Sequence, residues 1–153
     1  MAMKKVERED PKGEDFELDH RTTLKKLRTV IRAIRRHSTW IEKKCGVSGS
    51  QLWIMQELHE TPGLRVGEIA EKLAIHQITA SSLLDGLEKR GYVMKMRDAD
   101  DPDNQKTVKL ALSENGADLL AGAPKPARGL LPQSLRQLRP EQLARLAQGL
   151  DEC

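Results

Sequence analysis

The chain has 153 residues, 38% of them hydrophobic and 32% charged, with a formal net charge of +3. That length fits one domain able to bury a real core, and the high charge implies a wet surface around it. No apolar run reaches the ~18 residues that a membrane span requires, so no membrane partner is expected. MAMKKVEREDPKGED at the N-terminus is charged and lacks the apolar segment of a secretory signal, which makes the cytoplasm the expected location. Cys45 and Cys153 are too few and too far apart for a disulfide framework. Aromatic residues are scarce (Phe16, Trp40, Trp53, Tyr92), so the core must be built from Leu, Ile, Val and Ala, a composition that suits helices.

The charge is unevenly spread. Residues 1–20 carry four basic and seven acidic side chains, whereas residues 21–44 carry nine basic ones against the single acid Glu42. Such a run is either a solvated helix face or a footprint for a polyanion.

In chain order, residues 1–15 read as a flexible charged arm. From about Glu17 to Lys44, Leu24, Leu27, Ile31, Ile34, Ser38 and Ile41 recur at three- and four-residue spacing, one apolar stripe along a long amphipathic helix. A stripe of that length needs a partner, either the chain's own C-terminal helices or a second subunit. CGVSGSQ breaks the helix, and Ser48 with Gln51 three residues on fits a capping box. The next helix carries Leu52, Trp53, Met55 and Leu58 and stops at TPG, residues 61–63. LRVGEIAEKLAIH holds a short third helix with Val66, Ile69, Ala70 and Leu73 inward. QITASSLLDGLEKRG is a fourth, closed by Lys89, Arg90 and Gly91, with Gly86 inside it at a cost of about 1 kcal/mol relative to Ala.

YVMKM (92–96) and KTVKLAL (106–112) alternate as strands do and flank the loop RDADDPDNQK, so they form a hairpin. Ser113 can cap ENGADLLAG. APKPARG then interrupts, because Pro124 and Pro126 each remove a backbone donor, before LLPQSLRQL and PEQLARLAQGLDEC, the latter with Pro140 in its first turn. The expected fold is mainly α with a small β-hairpin wing: a winged helix-turn-helix lobe over residues 48–112, flanked by long helical segments over 17–45 and 113–153.

A winged helix-turn-helix reads duplex DNA by placing the N-terminal turn of its second helix on base edges in the major groove. Here that turn reads His76, Gln77, Ile78, Thr79, Ala80, Ser81, Ser82. Gln can bond adenine bidentately, Ser and Thr can bond bases or phosphates, and small side chains allow close approach.

LRVGEIAEKLAIHQITASSLLDGLEKRGYV, followed by a hairpin and LSENG, resembles the MarR family of multiple antibiotic resistance regulators over roughly residues 20–150. The resemblance implies a homodimer with first and last helices interleaved as dimerisation helices. It also implies two winged lobes on a near-palindromic double-stranded operator, and repression released by a small anionic, often aromatic, effector. It places base reading at Gln77, Thr79, Ser81 and Ser82 with His76 at the rim, and phosphate contacts at Arg65, Lys89 and Arg90. At the wing, Arg97 and Lys106 flank the acidic tip, and Asn104-Gln105-Lys106 stands where relatives carry Asp-x-Arg, a point charge replacing a planar fork. Two further departures are Val66, where relatives cap the third helix with Ser or Thr, and Gly86, where a basic residue is common. The effector zone of similar proteins maps to His37, Trp40, Ser48, Ser50 and Trp53, with Arg21, Arg35 and Arg36 as candidate carboxylate partners. Cys45 lies there too, which raises redox sensing as an alternative trigger.

Other chemistry is weakly encoded. The four aspartates of the loop fail the EF-hand spacing, with Pro102 and Asp103 at the fifth and sixth places and Lys109 at the twelfth. HETPG lacks the second His of a zinc site, and His20, His37, His59 and His76 show no ligand spacing with the cysteines. No phosphate-binding glycine loop, nucleophile elbow or paired catalytic carboxylates occur, so neither enzyme, metal site nor cofactor is expected. The rival from a different class is a protein-interaction module that docks a partner through its basic amphipathic helices.

Overall fold

The computed structural model describes the backbone of residues 12–96 and 108–153, and side chains from residue 20 onward. The elements are α1 (Lys12–Cys45), α2 (Gly49–Glu60), α3 (Val66–Leu73), α4 (Gln77–Lys89), β1 (Val93–Met96), β2 (Lys109–Leu112), α5 (Glu114–Ala121), α6 (Leu130–Arg136) and α7 (Pro140–Asp151). The chain divides into two units, Met1–Arg36 and His37–Cys153. None of the described helices is long and apolar enough to cross a membrane.

α1 begins at Lys12, earlier than the apolar stripe suggests, so Lys12–Asp15 are helical rather than part of an arm. The stripe could not signal this start, because those four residues contain no apolar side chain. Residues 1–11 lie outside the described chain. In the first unit Leu24, Leu27 and Ile31 of the predicted stripe are exposed and Ile34 is half-buried; Val30, outside the stripe, is exposed as well.

The second unit has a core of Ile41, Val47, Leu52, Ile54, Met55, Leu58, Ile69, Leu84, Leu87, Val93 and Leu110, drawn from every element between the end of α1 and β2. α2 starts where the sequence places it. The Ser48 hydroxyl accepts from Gln51 N at 3.1 Å, and the Gln51 amide oxygen accepts from Ser48 N at 3.0 Å. The same Gln51 turns its Nε2 toward α4 and donates to the Leu83 carbonyl at 3.2 Å. That reach explains Gly86, since a Cβ there would stand 2.9 Å from Gln51 Nε2. The glycine expected to weaken α4 gives the α2 amide room to tie the two helices together.

β1 and β2 pair antiparallel, Val93 with Leu112 through Met96 with Lys109. Leu110 also bridges back to Leu64, donating to its carbonyl at 2.9 Å and accepting from Gly63 N at 2.8 Å. The wing is thereby fastened to the connection between α2 and α3, a pairing that local sequence does not announce. Its tip, residues 97–107, lies outside the described residues, so the acidic loop and the calcium question attached to it go with it. Ser113 caps α5 by accepting from Gly116 N at 3.0 Å. Gly116 is required there, because a Cβ would collide with the Tyr92 carbonyl oxygen and stand 3.0 Å from its carbon.

α6 and α7 contain no buried residue, and α7 leaves Leu143, Leu146 and Leu150 exposed.

Candidate nucleic-acid interface

α3 and α4 are joined by Ala74, Ile75 and His76. Ala74 takes a left-handed conformation (φ 57), and its N–H and that of Ile75 close the end of α3 on the carbonyls of Ala70 and Glu71. A left-handed alanine costs roughly 1 kcal/mol, and no glycine marks the place in the sequence. Ile75 packs partly buried against the core and holds the turn in place. At the start of α3 the cap position is held by Arg65, with Val66 as the first helical residue. No side chain accepts from the first-turn N–H groups, and only the reciprocal half of a capping box forms, the Glu68 carboxylate accepting from Arg65 N at 2.8 Å. Arg65 itself has no acceptor to offer, so its exposed guanidinium is left to solvent.

α4 buries Ala80, Leu84 and Leu87, with Leu83 partly buried against the same core. His76, Gln77, Thr79 and Ser82 are exposed and Ser81 is half-buried. An open cleft of about 600 Å³ runs between α3 and α4 and brings together Arg65, Gln77 and Ser81 with Glu68, Glu71 and Val108. Three of the residues expected to contact DNA thus share one concave surface. Lys89, in the last turn of α4, is exposed.

Arg90 is placed differently from its neighbour. Its Nη1 donates to the Gly46 carbonyl just beyond α1, and its guanidinium lies 5.5 Å from the centroid of the Tyr92 ring. The side chain fastens the end of α4 to the α1–α2 turn. Arg97, Asn104 and Lys106 lie outside the described residues.

None of the residues expected around an effector lines the cleft between α3 and α4. Arg21 belongs to the first unit. Ser48 is spent on its cap, and Ser50 is exposed. Trp53 Nε1 donates to Glu57 Oε2 at 2.8 Å. His37 is buried, its Nε2 3.4 Å from the Pro126 carbonyl oxygen, and meets Trp40 edge-on with ring centroids 5.7 Å apart. Trp40 remains 45% exposed and is the aromatic surface of this zone. Burial pushes the Cys45 thiol up, with Lys44 pulling weakly the other way, which is opposite to what thiolate-based sensing needs.

Sequence reasoning missed one ionic cluster altogether. Arg128 donates from Nε to Glu57 Oε2 at 2.8 Å and from Nη2 to Glu60 Oε1 at 2.7 Å. Gln56 adds a bond to Glu60 at 2.8 Å. Burial alone would raise Glu57, but the bonds from Arg128 and Trp53 outweigh it and hold the carboxyl below its usual value. The Arg128 and Gln56 bonds take Glu60 down to about 2. Glu57 and Arg128 are 71 residues apart, and their only sequence signal is a helical glutamate at a position otherwise lined with core residues.

The MarR-family profile matches residues 47–102. The HTH-type transcriptional regulator YfiV of Bacillus subtilis is 30% identical over 113 residues, which is 74% of this chain and 68% of YfiV. The chain belongs to the MarR family. Solved structures of similar fold include the transcriptional regulator BldR from Sulfolobus solfataricus, with TM-score 0.58, 21% identity, and coverage of 98% of this chain and 96% of that one. A MepR variant from S. aureus bound to an oligodeoxyribonucleotide gives a TM-score of 0.51 at 20% identity, covering 82% of this chain and 91% of that one. The mainly helical fold with its two-stranded wing is that of the MarR winged-helix regulators, and the protein is a MarR-family transcriptional regulator rather than an enzyme.

Proposed function

We propose that this MarR-family chain is a homodimeric repressor that reads a near-palindromic duplex operator with α4 and is released by a small aromatic or organic acid. The observation that carries the DNA reading is the outward face of α4: Gln77, Thr79 and Ser82 stand exposed opposite Ala80, Leu84 and Leu87, with Lys89 exposed at the far end and Arg65 across the cleft. Bases are read by the first group and phosphates are met by the two cations. The MepR variant bound to an oligodeoxyribonucleotide lends this reading support from a protein of the same fold.

Support for a second copy comes from apolar stripes left exposed among the described residues. Leu24, Leu27 and Ile31 in the first unit, and Leu143, Leu146 and Leu150 on α7, are each at least 42% exposed, an arrangement that a lone chain in water would not favour. Sedimentation of the full chain should give a dimer, and Leu27→Asp should shift it toward monomer; a wild-type chain that sediments as a monomer at working concentrations would rule the dimer out.

For release, the half-exposed Trp40 ring beside His37 offers an aromatic acid a stacking surface. Titration with benzoate should quench tryptophan fluorescence and free the protein from DNA together. Deleting the gene should raise transcription from the promoter the protein binds, and a fall instead would make it an activator.

A further inference from the structure

We propose that Ile78 is a specificity-determining residue that reads the C5 methyl group of a thymine in each half-site. The inference rests on the DNA-binding reading given above and adds a residue of different chemistry to it.

The geometry of α4 selects the residue. Ala80, Leu84 and Leu87 are at most 3% exposed and define the inward line of the helix. At about 100° per residue, positions two before and two after Ala80 point almost directly away from that line. Those positions are Ile78 and Ser82, and the same outward line continues through Asp85 to Lys89. Gln77, Thr79 and Ser81 flank it. Ile78 therefore stands at the centre of the surface that would meet base edges, in the first turn of the helix, which is the part that enters the groove.

Its chemistry is out of keeping with its surroundings. Ile78 is 78% exposed, more than any other exposed large hydrophobic residue of the described chain. The others on long helices recur at helical spacing and make stripes, as on α1 and α7, which suit a protein surface. Ile78 has no such companion on α4. It is a single branched apolar group ringed by Gln77, Thr79, Ser81 and Ser82, each able to donate and to accept a hydrogen bond. The matching target is a single apolar group ringed by hydrogen-bonding edges. In the major groove the thymine C5 methyl is that group, and apolar side chains contact it there.

The test uses the full chain and a duplex that it selects from a randomised pool of double-stranded oligonucleotides. Deoxyuridine then replaces each enriched thymine in turn, removing the methyl and no base-pairing group. Burying one methyl-sized group corresponds to about a fourfold change in affinity, so one thymine per half-site should show about that loss with the wild type, and about fifteenfold when both half-sites are changed. Ile78→Ala should bind the thymine and uracil duplexes equally and should select pools without thymine enrichment at that position. Ile78→Val, which keeps a branched apolar tip, should retain part of the uracil sensitivity. The exposed side chain contributes nothing to the core, so both variants should keep the wild-type thermal midpoint. If the selected duplex tolerates uracil everywhere, or if Ile78→Ala is as sensitive as the wild type, the assignment is overturned while the DNA reading stands. Recovery of no duplex at all would overturn both.

Discussion

Replacing Arg128 by Met removes the cation from the Glu57–Glu60 cluster without emptying the space its stem fills. Two charge-assisted hydrogen bonds disappear, but their two carboxylates fare differently. Glu60 is 49% exposed and returns to water, so its share should be that of a surface pair, about 0–1 kcal/mol. Glu57, only 8% exposed, cannot rehydrate and is left as a buried charge with Trp53 as its remaining donor. Stranding one partner of a buried pair costs about 3 kcal/mol. At about 2–4 °C per kcal/mol for a chain of this size, the midpoint should fall by roughly 10 °C at neutral pH.

The pH dependence then reverses in sign. In the wild type both carboxyls are depressed, so their contribution is present above the ordinary glutamate value of about 4.3 and is lost as pH falls through the folded values, about 2 for Glu60. In the variant burial is no longer outweighed, and Glu57 rises. Its penalty is full at neutral pH and is relieved as pH drops and the carboxyl protonates. Urea denaturation followed by tryptophan fluorescence, at fixed protein concentration and at about pH 7 and about pH 5, should therefore show the gap between wild type and variant narrowing in acid. Adding Glu57→Gln to the variant removes the stranded charge and should recover most of the loss at neutral pH. A gap that does not change with pH, or a double variant no better than Arg128→Met alone, would refute the argument.

Ser48→Ala removes the acceptor for Gln51 N and frees the reciprocal Gln51 contact, and should cost about 1 kcal/mol in denaturation experiments. Gly116→Ala should be more damaging despite its small size. The new Cβ meets the Tyr92 backbone, which cannot move without breaking the Ser113 N to Tyr92 O bond, so a loss of about 2 kcal/mol or more is expected from thermal unfolding. Peroxide should leave DNA binding unchanged, because burial disfavours the Cys45 thiolate; loss of binding that is reversed by dithiothreitol and absent in Cys45→Ser would overturn that expectation.

What was legible in the sequence was local. Ser48 and Gln51, Ser113, Gly91 and Pro140 mark helix ends by chemistry acting within four residues, and the α4 stop and the capping box of α2 follow from them directly. The periodic apolar residues place the helices for the same reason. What escaped was non-local. The Leu64–Leu110 bridge joins residues 46 apart in number, and Arg128 finds Glu57 across 71. Arg90 reads as a cation at a helix end, equivalent to Lys89, until the Gly46 carbonyl and the Tyr92 ring are seen beside it. The missing hydroxyl cap of α3 was legible, but its position was not: Arg65 rather than Val66 stands at the cap, with Glu68 accepting from its backbone N–H. At the candidate interface, attention to hydrogen-bonding side chains picked out Gln77, Thr79, Ser81 and Ser82 and passed over Ile78, whose exposure is a property of the packed helix rather than of its composition.

The central claim is that α4 reads base sequence in duplex DNA. Equilibrium anisotropy titrations of the full chain against a selected duplex and a scrambled duplex of equal length, repeated across salt, test it most directly. Both affinities should fall steeply with salt, as phosphate contacts displace counterions. The selected duplex should be bound at least about a thousandfold more tightly at physiological salt, a margin that Ser82→Ala narrows more than it weakens total binding. Equal affinity for the two duplexes, or no binding to either at low salt, would contradict the account.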